Sequence, residues 1–106
     1  MDIIVIPQAK RELRKAPNDI LSDAFVLFNK LANGIKLSMP VSRPLPNIAK
    51  GLHELRLPHR DGTYRIFYVI KTGDAIYVLH GLKKKTQKLD KKTKELILLR
   101  IRSIEL

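Results

Sequence analysis

Three strand-like runs, LHELRL, TYRIFYVI and AIYVLH, stand in close succession between residues 52 and 80, parted by PHRDG and KTGD. The runs have the length of strands, and both separators are rich in turn residues. Two successive hairpins follow, and with them an antiparallel meander. Side chains alternate along a strand, so Arg56 shares a face with Leu52 and Glu54, and Arg65 shares one with Phe67 and Val69. Tyr68 then lies on the side opposite Arg65, in the core. A meander with an apolar face must be covered by the other elements, so one face meets helices while the other stays open.

The cover is legible on both sides of the meander. DIIVIP reads as a strand of about four to five residues closed by Pro7. QAKRELRKA has the composition of a short helix that stops before Pro17, because proline disfavours helix at the residue before it. In PNDILSDAFVLFNKLANG a proline sits at a helix-compatible position, and Ile20, Ala24, Leu27 or Phe28, and Leu31 recur at helical spacing. Asn33 and Gly34 supply the stop. In IKLSMPVSRPLPNIAK, residues 35–50, Pro40, Pro44 and Pro46 forbid regular structure and leave a long connection whose role is open. DKKTKELILLRIRSIEL has Asp90 as an N-cap, and Leu96, Ile97, Leu98, Leu99, Ile101 and Ile104 cover an arc wider than one packing stripe needs, which reads as a well-buried terminal helix or, in the alternative, as a helix with part of its arc docked on a partner. The order is strand, two helices, a three-stranded antiparallel meander and a C-terminal helix. This is an α+β fold in one domain, residues 1–106, since the chain is long enough for one core only.

Composition adds one informative number. A net charge of +11 with an isoelectric point near 10.2 is more than solubility asks for, and it points to an acidic partner. The charge is focal: residues 83–94 hold seven lysines and one aspartate, with a burst of lysines directly after what reads as a glycine turn in HGLKKKTQKLDKK. Such a burst is either a footprint on nucleic acid or an acidic protein, or a solvated loop and first helical turn. With 44% hydrophobic residues the chain is globular, it has no cysteine, and no apolar run approaches a membrane span or a signal peptide. These features fit a reducing cytoplasm.

The residues exclude several chemistries. His53, His59 and His80 are scattered without an acid cluster, so a metal centre is not expected, and no cofactor is implied. The five glycines are isolated and make no phosphate-cradling loop, and no serine nucleophile or converging carboxylate pair is evident. What remains is cationic: Arg56 and Arg65 on neighbouring strands, and Lys83, Lys84, Lys85 and Lys88 at the end of the next. Such groups bind phosphate, and they can stabilise the charge that builds on it during metal-free RNA cleavage. Binding, catalysis and solvation all remain open on residue type alone.

GLHELRL, YRIFYVI and VLHGLKKKTQK, in this order and spacing, resemble the RelE/ParE superfamily of toxins, and within it the phage-derived and HigB-type branch. The likeness covers about Gly51 to Leu106. It implies a RelE-like fold and a ribosome-dependent endoribonuclease that cuts messenger RNA without metal, by attack of a ribose 2′-OH on the adjacent phosphate. It also implies a cognate antitoxin, often a helix-turn-helix repressor. By position, Arg65 stabilises the scissile phosphate, Arg56 assists, and Lys84 or Lys85 protonates the leaving group or binds the phosphate. Lys83, Lys88, Lys91, Lys92 and His80 fall to RNA or ribosome contact, and His80 is the better histidine candidate for the general base. One departure is that Leu89 and Asp90 stand where the family commonly has a proline. Two other functions fit the same superfamily, a ParE-like inhibitor of DNA gyrase and a non-catalytic RNA-binding or co-repressor module.

Overall fold

The structure, a computed structural model, describes every residue except Thr72, Asp74, Gln87 and Leu106. The expected KTGD turn and the KKTQK segment therefore lie partly outside the described residues. The elements are β1 (Asp2–Val5), α1 (Pro7–Leu13), α2 (Asn18–Ala32), β2 (Ser42–Pro44), β3 (Leu52–His59), β4 (Gly62–Ile70), β5 (Ala75–Lys84) and α3 (Lys91–Ile104). The mixed α+β architecture agrees with the sequence, and the meander is its centre. The strands form one five-stranded sheet in the order β1-β5-β4-β3-β2. β1 runs parallel to β5, and the other pairs are antiparallel.

Three details depart from the sequence reading. Neither face is open at the centre of the meander, since Arg65 to Val69, which alternate between the two faces, are all buried. The proline-bearing segment is not wholly irregular, because Ser42, Arg43 and Pro44 pair with Leu55, Glu54 and His53 as an edge strand. An edge strand tolerates a proline, whose missing N–H would otherwise face a neighbour. Gly81 is also no turn: β5 continues through it to Lys84, with Gly81 opposite Ile66 and Lys84 opposite Thr63. The glycine is required by packing, since a Cβ there would come within 2.8 Å of Leu13 Cδ2 on α1.

Helix positions follow from local chemistry. Pro7 both closes β1 and opens α1, where its fixed φ suits the first helical position and its missing N–H costs nothing. α2 buries Ile20, Ala24, Phe28 and Leu31, the expected stripe, with Phe28 rather than Leu27 as the buried member. The Phe28 ring meets Tyr68 edge-on at 6.0 Å, which fixes α2 against the sheet. Tyr68 is buried as expected, and its hydroxyl shares a 2.6 Å hydrogen bond with Ser42 Oγ of β2. Burial raises its pKa more than that bond lowers it.

Asp90 caps α3 by accepting from Thr93 N–H at 2.8 Å. The helix is less buried than its apolar arc suggests. Ile97 and Ile101, one turn apart, are buried, Leu96 and Leu98 are half-buried, and Leu99 is 60% exposed. Among the described residues no helix is long and apolar enough to cross a membrane.

Candidate functional site

The β3–β4 register places Arg56 directly opposite Arg65. Side chains of such a pair stand on one face a few ångströms apart, where two like charges repel. Glu54 resolves the conflict. It is fully buried, accepts at 2.8 Å from Arg65 Nε through Oε2, and has Arg65 Nη2 at 2.8 Å from the same oxygen. Its Oε1 lies 3.8 Å from Arg56 Nε and has no hydrogen-bond partner. One buried carboxylate thus faces two guanidinium groups, and the cluster keeps a surplus positive charge. Arg65 is itself only 4% exposed, its Cζ lies 5.9 Å from the Phe67 ring centroid, and its third nitrogen, Nη1, is buried without a partner.

Arg65 forms part of the wall of an open groove of about 280 Å³. Lys88 and Lys94 contribute the side next to α3, and the opposite side is the segment from Arg43 to Ile48. Arg43 reaches this place because β2 sets it opposite Glu54. The segment beyond it is tied back to the sheet by Leu45 N–H to Leu52 O at 2.8 Å, and turned by Ile48 N–H to Leu45 O at 3.1 Å. Among the described residues Arg43, Lys88 and Lys94 form no ion pair with a carboxylate. Four cations therefore converge on a cleft, and Glu54, the carboxylate that contacts one of them, is already engaged by Arg65. Such a cleft attracts anions and suits phosphate in particular.

The remaining sequence-derived candidates are placed differently. Lys83 and Lys85 share Asp61, at 3.1 and 3.4 Å, and Lys83 Nζ lies 5.7 Å from the Tyr64 ring centroid. Lys83, ahead of Lys85, holds the Asp61 carboxyl below its usual range. Lys84 donates to Asp90 at 2.9 Å, and this bond, ahead of that from Thr93, holds Asp90 well below the ordinary carboxylate range. Lys91 is exposed and 3.9 Å from Glu95, and Lys92 lies on the outer side of α3 beside Leu96 and Leu99. Arg56 borders a separate depression with Val41 and Pro58. Of the predicted residues the groove thus unites Arg65 and Lys88 alone.

His80 is bound up in the fold. β1 pairs with β5 only as far as Val78, and the register there shifts between Phe67 and Tyr68 so that Leu79 is the extra residue. Beyond that point Glu12 and Arg100 satisfy the edge of β5, with Gly81 N–H donating to Glu12 Oε1 at 3.3 Å and Arg100 Nη1 to Leu79 O at 2.8 Å. His80 Nδ1 lies 2.8 Å from the same Glu12 oxygen, which selects the Nδ1–H form, and its ring stacks on Phe67. Burial alone raises the pKa of Glu12, but hydrogen bonds from Arg100 and His80 outweigh it and hold the carboxyl below its usual value. His53 bonds Gly51 O at 3.0 Å and stacks on Tyr68, and His59 faces Asp19 at 3.6 Å. Among the described residues no three histidine or acidic side chains come together as a metal site.

Arg43, Lys94, Glu54 and Asn47 were not singled out in the sequence. Arg43 and Asn47 were hidden by the prolines around them, and Lys94 is one lysine among seven. Glu54 carried a signal, being the sole acid inside the three strand runs.

No curated protein is similar enough to the chain to count as a match. The family model described as phage-derived protein, Gp49-like, matches residues 11–102, a span that takes in the Glu54 cluster, both walls of the groove and the capped start of α3. The chain, with its cationic cleft between a proline-bearing edge segment and the last helix, therefore belongs to the family of phage-derived Gp49-like proteins.

Proposed function

We propose that the protein is the toxin of a toxin–antitoxin pair and acts as a metal-independent endoribonuclease on messenger RNA held by the ribosome. The observation that carries this reading is Arg65, a buried guanidinium with Nη1 unpartnered, in a groove whose other cations have no carboxylate partner among the described residues. The resemblance of the three strand motifs to RelE/ParE toxins and the phage-derived family support it. In this reaction the ribose 2′-oxygen bonds to phosphorus, the P–O5′ bond breaks, the 2′-OH proton goes to a base, and O5′ takes up a proton. Negative charge grows on the non-bridging oxygens, where Arg65 and Arg43 stabilise it. In this reading the ammonium of Lys88 or Lys94, both of which line the groove, protonates O5′. Lys83, Lys85, Lys91 and Lys92 add long-range attraction to RNA. A cognate antitoxin belongs to this reading, and a small helix-turn-helix gene beside this one would agree with it.

Induced expression tests the proposal. The wild type should arrest growth and cut ribosome-bound transcripts. Arg43→Ala and Lys88→Ala, both at exposed positions, should lower cleavage on the order of a hundredfold with an unchanged circular dichroism spectrum. Undiminished arrest in the triple variant of Arg43, Lys88 and Lys94 would remove the groove from the mechanism.

A second reading, a non-catalytic RNA-binding or co-repressor module, is favoured by one observation: among the described residues that line the groove there is no histidine or carboxylate to take the 2′-OH proton. Salt-sensitive RNA binding with no cyclic-phosphate ends, on or off the ribosome, would decide for it.

A further inference from the structure

The groove has two unlike walls. One is cationic, with Arg65, Lys88 and Lys94, and the other turns from Arg43 into Pro44, Leu45, Pro46, Asn47 and Ile48. A site that gripped phosphate alone would need only the first. The second wall is apolar apart from Asn47, the only uncharged polar residue that lines the cleft among the described residues. Asn47 is exposed, and its amide makes no hydrogen bond to another described side chain or backbone group. Its position is nonetheless fixed: Pro44 and Pro46 lock φ, Leu45 bonds to Leu52, and Ile48 and Ala49 both donate to Leu45 O, at 3.1 and 3.3 Å. An unpaired amide on a stiff apolar wall is arranged to meet a flat ligand that carries its own hydrogen-bonding edge.

We infer that residues 43–48 form the base-reading wall of this groove, on which a phosphate seated against Arg65 and Arg43 places the adjoining nucleobase against the proline and leucine surface while Asn47 reads its edge. The inference rests on the phosphate-binding reading of the groove and goes beyond it in naming the ligand unit and the residue that selects it. A cleft of about 280 Å³ is at the small end for ligand sites and suits one nucleotide rather than a folded RNA element. A single-stranded segment is the form in which base edges are free to be read. Among the bases, adenine offers adjacent donor and acceptor positions on both its free edges, the match for an amide that has one of each. Adenine is therefore the base expected against Asn47.

Affinities of the full-length protein for inorganic phosphate, for the four 3′-phosphorylated nucleosides and for 2′-O-methyl tetranucleotides test this without any cleavage. The wild type should bind adenosine phosphate about tenfold more tightly than the pyrimidine phosphates. Asn47→Ala should bring the four nucleotides level while its affinity for inorganic phosphate stays within twofold of wild type. Lys88→Ala should weaken all of them together. The tetranucleotide arm separates sources: tighter binding than the mononucleotide points to RNA, equal binding to a free nucleotide, and the base-reading role of Asn47 holds in either case. Equal affinity for the four nucleotides in the wild type, a preference for another base, or a preference that survives Asn47→Ala overturns the inference. A protein that discriminates bases yet cuts no transcript retains this site and loses only the endonuclease reading.

Discussion

At the scale of single residues, the Glu54–Arg65 pair changes how mutants must be read. Removing one partner of a buried pair leaves the other charge without compensation, at a cost of about 3–5 kcal/mol. Arg65→Ala and Glu54→Ala should both lower the unfolding free energy measured in urea by that amount, and loss of toxicity in Arg65→Ala would then report unfolding as much as chemistry. Activity is better probed at Arg43 or Lys88, which no buried carboxylate needs. Arg60 offers the converse case. It lies between His59 and Gly62 at φ 53°, a left-handed conformation that favours glycine. Arg60→Gly should stabilise the fold by about 1 kcal/mol, read as a higher melting temperature.

At the scale of elements, the joints between strands and helices carry the sensitive positions. Gly51 precedes β3 at φ +79°, and a Cβ there would lie 2.8 Å from the carbonyl oxygen of Ile70 at the end of β4. Gly51→Ala should therefore destabilise by about 2–3 kcal/mol, through a strained φ and a clash with backbone that cannot step aside. The clasp of Glu12, His80 and Arg100 joins α1, β5 and α3, and its acid carries a pH signature. The folded pKa of Glu12 lies below its ordinary 4.5, so its contribution to stability is complete above that value and is lost as pH falls through the lower folded one. Asp90 at the cap of α3 behaves likewise below its ordinary 3.8. Stability measured by urea from pH 6 down to 3 should fall, and Glu12→Gln should flatten the upper part of that fall.

At the scale of the whole molecule, the net charge of +11 divides into paired and unpaired sets. The lysines at the end of β5 have their charge partly offset by Asp61 and Asp90, whereas those of the groove have no such partner among the described residues. Binding to single-stranded RNA should weaken steeply with salt, and each of Arg43, Lys88 and Lys94 replaced by alanine should reduce the slope of log K against log salt by about 0.7. Replacement of Lys85, which sits 3.4 Å from Asp61, should change the slope less. Fluorescence anisotropy over a salt series checks both.

The meander, the stripe of α2, the cap of α3 and the positive charge are legible from the order of residues alone. Each is written in local pattern: strand-length runs between turn residues, apolar residues at helical spacing, an aspartate before a helix. The burial of Tyr68 was also legible, because alternation along one strand is enough to place it. Which cations act together depends instead on how the elements pack. β2 depends on pairing with β3 across the gap from residue 45 to 51, and its prolines conceal it from any local reading. Gly81 looks like a turn until Leu13 occupies the space above it. HGLKKKTQKLDKK reads as one basic stretch, yet folding turns Lys84 to Asp90, Lys83 and Lys85 to Asp61, and Lys88 into the groove beside Arg43, a residue 45 positions earlier. Charge is additive along a sequence, but its chemistry depends on distances and partners in space, and those are set by packing.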